Sequence, residues 1–189
     1  ATVINFDDVS APCGFAQTTA LRSKGGVIFL GTGGNKNGGA ILNECGNFDV
    51  TGQSSPNFLA FNAGAPMSDG GIPKLPELLV FLSPVSSVQM NAGAGFGNTG
   101  NVVIIALDSG GNFVGFDVIS VASALQTLKV VDSVNKIKIV ILAANLSSPI
   151  LVMDNLAFTP AGLVVSAAPS SRQAKDDLGA LSDEFKISD

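Results

Sequence analysis

The chain has 189 residues, 46% of them hydrophobic and 13% charged, with fifteen Asp and Glu against ten Lys and Arg for a net charge of −5. The ten cations are scattered, which argues against a nucleic-acid partner, no run approaches the ~18 uninterrupted apolar residues of a bilayer span, and the absence of His excludes Ser-His-Asp and Cys-His relays and imidazole zinc sites. A mean hydropathy of +0.43 with so little charge leaves a surface suited to association with copies of itself or with a broad partner surface.

In chain order, strands are predicted over residues 2–6, 26–30, 40–42, 58–62, 78–83, 87–90, 102–107, 113–121, 127–131, 137–142 and 150–158. Most of these runs are rich in Val, Ile and Phe and are separated by Gly, Asn, Ser and Pro. The clearest hairpin joins Val102–Leu107 to Phe113–Val121 through Asp108–Asn112, whose residues tolerate positive φ. Lys136 and Lys138 alternate with Ile137, Ile139 and Ile141, the pattern of a strand with one wet face. The expected fold is all-β: a two-sheet antiparallel β-sandwich of the jelly-roll kind over residues 1–160, with roughly ten strands.

Residues 161–189 form a tail of different character. Leu163, Val164 and Val165 offer one more strand, and Ala174, Leu178, Leu181 and Phe185 then recur at helical spacing. Ser170 with Gln173 fits a capping box, and Asp176 and Asp177 fall in the first turns, so a short amphipathic helix is predicted there. Such a helix either packs back on its own domain or docks on a second subunit, giving a homo-oligomer.

Cys13 and Cys45 are consistent with one disulfide closing an N-terminal loop, the other reading being two buried thiols. With few lysines, Ala1 reads as the residue left by removal of a signal peptide, so the expected location is secreted and extracellular. Two glycine-rich stretches invite a nucleotide reading. Gly95–Gly100 matches GxGxxG but runs into a strand instead of a helix, and Gly31–Gly39 lacks the GK[ST] ending, so both are read as loops.

Glu44, Asp69, Glu77, Asp108, Asp117 and Asp132 could meet in space as a catalytic carboxylate pair, but no spacing among them recommends one. The expectation is a protein that is not an enzyme. The constellation with most chemical content is a calcium site. Asp7 and Asp8 follow the first predicted strand, and Asp154 interrupts the apolar run that begins Ile150–Met153, where an unpaired charge is costly. Adjacent first and last strands would bring these oxygens together as calcium requires. The competing reading of Asp154 is a carboxylate capping backbone amides or pairing with a Lys.

The opening Ile4-Asn5-Phe6-Asp7-Asp8, the middle Ser55–Asn62 and the close Met153-Asp154-Asn155-Leu156 resemble a group of secreted bacterial β-sandwich domains. More loosely, they are similar to galactose-binding-like jelly rolls and carbohydrate-binding modules, over residues 2–160. The resemblance implies an extracellular jelly roll that binds a glycan or surface polymer, with a structural calcium between terminal strands. By position, Asp7, Asp8 and Asp154 match its ligands. One departure is the lack of Trp and Tyr as stacking platforms, which leaves twelve Phe. Phe15, Phe48 and Phe96, flanked by small or polar residues, are the better candidates for exposure, the competing reading of each being a core ring. Two functions follow: a non-catalytic module that reads carbohydrate through loop Asn, Asp and Gly groups, or a self-assembling subunit of a filament, sheath or surface layer.

Overall fold

A computed structural model describes residues 1–10, 13, 19–21, 23–31, 39–43, 45–61, 76–134, 136–146 and 150–161. The predicted tail strand and helix, the 32–38 part of the first glycine-rich stretch, Phe15, Glu44 and Asp69 lie outside these residues. Twelve strands are described: β1 Thr2–Ile4, β2 Thr19–Leu21, β3 Ser23–Lys24, β4 Val27–Gly31, β5 Gly39–Leu42, β6 Phe58–Phe61, β7 Glu77–Ala94, β8 Gly100–Leu107, β9 Phe113–Val121, β10 Gln126–Val131, β11 Ile137–Leu146 and β12 Leu151–Pro160. All pairings between them are antiparallel.

The eighteen-residue β7 organises the sandwich. Its first half lies between β4 and β11, and β8 and β9 continue that layer. Its second half lies between β10 and β12, and β6, β5 and β2 continue the other layer, with β1 also paired to β12. The sequence reads this stretch as two strands because Pro84 interrupts it. Pro84 instead marks the bend where one strand passes from one sheet to the other: Leu82, Ser83 and Pro84 are exposed, and the register to β11 slips opposite them between Ile137 and Ile139. A proline without an N–H is tolerated at such a bulge.

The two layers close on one core. Phe81 of β7 meets Phe158 of β12 with ring centroids 5.1 Å apart, and Phe6 meets Phe29 of β4 at 6.4 Å, both edge to face. Leu79, Met90, Ile104, Leu128, Ile137 and Leu156 fill the space between them. Burying each large apolar side chain contributes about 1.5–3 kcal/mol. A smaller cluster of Phe48, Val50, Phe58 and Val152 lies apart from this core. It carries the 45–57 segment, anchored by Thr51 N donating to Ser123 O and Leu125 N to Thr51 O.

The β8–β9 hairpin forms as its loop chemistry predicts. Asp108 Oδ1 accepts from the N–H groups of Gly110 and Asn112, and Gly111 N donates to Asp108 O. The wet face expected of β11 is not where alternation places it. The bulge turns Ile137 and Val140 to the core and leaves Ile139 and Ile141 on the outer face, while Lys138 reaches away to donate to Leu82 O. The outer face of this sheet is therefore apolar across its width. Phe116, Ile105, Ile141, Leu78 and Leu30 are successive cross-strand neighbours from β9 to β4. Leu107, Ile139, Val80 and Ile28 form the next row.

The outer face of the other sheet is different in kind. Gln89 of β7 has Ala157 of β12 on one side and Lys129 of β10 on the other; Asn91 lies beside Thr127, and Ser87 beside Thr159.

Candidate functional site

The first and last strands pair directly, Thr2 with Phe158 and Ile4 with Leu156. Beyond Ile4 the chain turns at Phe6, whose φ of 66° is rare for a bulky residue. That turn sends the Phe6 ring into the core and leaves Asp7 and Asp8 in a loop, so β1 is two residues shorter than the predicted strand. On β12 a bulge follows Asp154, with Asn155 at φ 53°, a conformation Asn tolerates. The bulge and the turn face the segment Gln53–Asn57, which bridges them.

Asp154 is fully buried. Its Oδ2 accepts from Ser54 N at 2.6 Å, Ser54 Oγ at 2.9 Å and Asn155 Nδ2 at 3.2 Å, and its Oδ1 accepts from Asn155 N at 2.7 Å. Burial holds its carboxyl above the usual carboxylate range, opposed by the bonds from Ser54 and Asn155; the nearby Asp7 charge adds to the rise. Asp7 Oδ1 accepts from Asn57 N at 2.9 Å. Asn57 is fully buried, and its amide NH₂ donates to Phe6 O and Val9 O. One side chain thus ties down both ends of the turn that carries Asp7.

Asp8 points elsewhere. It pairs with Lys24 Nζ at 2.5 Å, a partner that lowers its carboxyl pKa. This pair borders a cleft of about 280 Å³ lined by Thr2, Val3, Ile4, Asn5 and Gly25. Of the three predicted ligands, the fold therefore brings Asp7 and Asp154 together and joins Asp8 to Lys24. Among the described residues, no group of three or more His, Cys, Asp or Glu side chains comes together.

Two further oxygens belong to the same neighbourhood. Asn57 Oδ1 and Gln53 Oε1 are buried without a hydrogen-bond partner. A buried carbonyl oxygen left unpaired costs about 1–3 kcal/mol, and a cation is one way to satisfy it. Two carboxylates with two amide carbonyls on one junction are hard oxygen donors of the type calcium takes. Asn57 lies in the Ser55–Asn62 stretch that carries the resemblance, but nothing in the spacing of Gln53 and Asn57 marks either as a ligand.

Cys13 and Cys45 form a disulfide with Cα atoms 5.4 Å apart. Of the candidates for exposure, Phe96 is exposed and Phe48 is buried; among the described residues the other exposed rings are Phe113 and Phe116, 6.3 Å apart on β9. The second glycine-rich stretch is a turn, with Phe96 and Gly97 at positive φ before β8. Two further acids serve the backbone: Asp117 accepts from Val118 N and Lys129 N, and Asp132 from Val134 N and Lys136 N.

No family model and no curated protein matches the chain. Among solved structures, the K2 cleaved adhesin domain of Lys-gingipain (Kgp) is similar at 12% identity and a TM-score of 0.44, covering 85% of this chain and 98% of that one. The CBM22-1-GH10 modules of Clostridium thermocellum endo-1,4-beta-D-xylanase 10B, complexed with xylohexaose, are similar at 16% identity and a TM-score of 0.27 over 75% of this chain and 26% of that one.

Proposed function

We propose that this protein is a non-catalytic extracellular binding module for a glycan or surface polymer, stabilised by calcium at the junction of its terminal strands. The observation that carries the binding role is the outer face of the β10–β7–β12 sheet. Ser87, Gln89, Asn91, Thr127 and Thr159 place uncharged hydroxyl and amide groups side by side on rigid strands. Thr127 Oγ1 already donates to Asn91 Oδ1, and Ser87 Oγ to Thr159 Oγ1, which orients these groups. Such a row, with Lys129 beside Gln89 as its charged member, can exchange hydrogen bonds with the hydroxyls of a sugar. The disulfide fits an oxidising compartment.

Calcium would be held by the carboxylates of Asp7 and Asp154 with the amide carbonyls of Asn57 and Gln53; it would supply charge compensation for the buried acid. Its role is structural, since the junction is not part of the polar face.

A glycan array tests the reading. Selective, saturable binding that is lost in Gln89→Ala and Asn91→Ala supports it, and an array without selective signal removes it. The second reading, a self-assembling subunit, draws on the apolar outer face of the β4–β9 sheet; ordered polymers in electron micrographs would favour it.

A further inference from the structure

We infer that the apolar outer face of the β4–β7–β11–β8–β9 sheet is the interface of a closed homodimer, occupied by the same face of a second copy of this chain. Two rows cross all five strands, one from Phe116 to Leu30 and one from Phe113 through Leu107 and Ile139 to Ile28, and neither has a polar or charged member. On the outermost strand Phe113, Phe116 and Val118 are 63%, 62% and 50% exposed. The face stops at a polar row, Ser120, Asn101 and Asn145, in which Ser120 Oγ donates to Asn101 Oδ1. A contiguous apolar surface with a polar border is the mark of an interaction site.

Charge, shape and area select the occupant. The chain carries a net charge of −5, so two copies repel unless they meet where neither presents a charge. This face is such a place. A second copy also brings a sheet of identical twist, and twisted sheets pack face to face at a spacing of ~10 Å with their strands ~30° apart. With the shorter row Val118, Val103 and Ala143 beside them, the two long rows cover roughly 24 by 20 Å at ordinary strand and residue spacing. Two such faces bury on the order of 1,000 Å² together, which reaches the lower size of a specific interface. Pairing of strand edges is disfavoured as the route, because the two oxygens of Asp117 take Val118 N on β9 and Lys129 N on β10, donors that an added strand would use.

A face that meets its own copy about a two-fold axis is used up by one partner, so the contact closes as a dimer and does not propagate as a filament. Four stacked layers at ~10 Å spacing then set the two β10–β7–β12 faces ~30 Å apart on opposite sides of the dimer. On the glycan-binding reading, on which this consequence alone rests, the dimer joins two polymers instead of gripping one twice.

Sedimentation velocity on the full chain tests the interface without any glycan, so its outcome is separate from that of the array. Between about 1 and 100 μM the full chain should pass from monomer to dimer, the range suited to an interface of this size. Phe116→Glu/Val118→Glu, at two exposed positions of the face, should remain monomeric with an unchanged far-ultraviolet β signal. Should it lose that signal, Phe116→Ser/Val118→Ser is read in the same way. Val3→Glu/Val131→Glu adds the same charge at exposed positions of the other layer and should dimerise like the full chain. A full chain that stays monomeric throughout overturns the inference, as do ordered polymers in place of a dimer, or equal association of the Phe116/Val118 and Val3/Val131 variants.

Discussion

Ser54 donates to one oxygen of Asp154 twice, from its backbone N at 2.6 Å and its hydroxyl at 2.9 Å, across a hundred residues of sequence. The pair fastens the 45–57 segment to the last strand and makes Asp154 an acceptor at a position closed to bulk solvent. Ser54→Ala keeps the backbone bond and should lose about 1–2 kcal/mol. Asp154→Asn sets an NH₂ group against the Ser54 or Asn155 donors and should lose more, about 2–4 kcal/mol. Urea unfolding of both variants at one pH checks the order; equal losses would mean that the hydroxyl bond carries the whole effect.

Calcium should raise the melting temperature, and EDTA should lower it, because a ligand of the folded state alone stabilises by mass action. The effect should shrink toward acid. Burial raises the Asp154 carboxyl pKa, and a metal ligand must be deprotonated, so protonation competes with calcium in that range. Asp7→Asn and Asn57→Ala should each reduce the calcium-dependent shift. Differential scanning calorimetry with and without chelator at pH 7 and pH 4.5 measures all of this, and identical curves at pH 7 would remove the metal from the account.

How far the sequence carries depends on whether a feature is local. The β8–β9 hairpin is legible because its loop residues and its two hydrophobic runs are contiguous. Ser87-Val88-Gln89-Met90-Asn91-Ala92 likewise alternates polar and apolar residues, so its polar face is readable once the strand is assigned. The meeting of the chain ends around Asp7 and Asp154 follows from charges that interrupt apolar runs. Gln53 and Asn57 escape, because their role comes from a segment folded over the sheet by Phe48 and Val50, a tertiary arrangement with no sequence period. The apolar outer face escapes for another reason: the bulge between Ile137 and Ile139 reverses which residues of β11 face out, and a one-residue slip in a period of two exchanges the faces.

The Cys13–Cys45 bridge spans 32 residues. Loop-closure entropy for that span gives about 3–4 kcal/mol of stabilisation. Cys13→Ser with Cys45→Ser should lower the urea midpoint by a corresponding amount at an otherwise similar slope. A stability unchanged in the double variant would show that the N-terminal segment is held by other contacts.

Glu77 opens β7 with its side chain turned inward beside Leu142, only 2% exposed, and its Oε1 lacks a partner. Burial pushes its pKa from 4.5 up to about 9. The folded state then holds a proton that the unfolded chain releases above pH 4.5. Its contribution is complete below that value, declines as pH rises, and is gone above about 9. Wild-type stability should fall between pH 5 and pH 9, and Glu77→Gln should flatten that decline and be more stable near pH 8 by about 1–3 kcal/mol. Urea titrations at several pH values decide it; parallel profiles for the two proteins would mean that Glu77 reaches solvent or a partner when ionised.

Gly100 sits where β8 begins to pair with the end of β11, opposite Leu146. A methyl group there would stand 2.2 Å from Asn145 O and 2.7 Å from Leu146 Cα, both backbone atoms that cannot swing aside. Gly100→Ala must therefore separate the two strands at this end, at a cost of about 1–3 kcal/mol or more. Gly97 follows three residues earlier in the same connection, at φ 69° with open space around its Cα. Its alanine variant meets only the backbone penalty of the left-handed region, about 1–2 kcal/mol. The two variants separate by mechanism in amide hydrogen exchange: Gly100→Ala should lose protection along β8 and the end of β11, whereas Gly97→Ala should lose stability without local opening there. Local loss of protection in Gly97→Ala, or none in Gly100→Ala, would show that close approach of the β8 and β11 backbones is not what requires glycine at position 100.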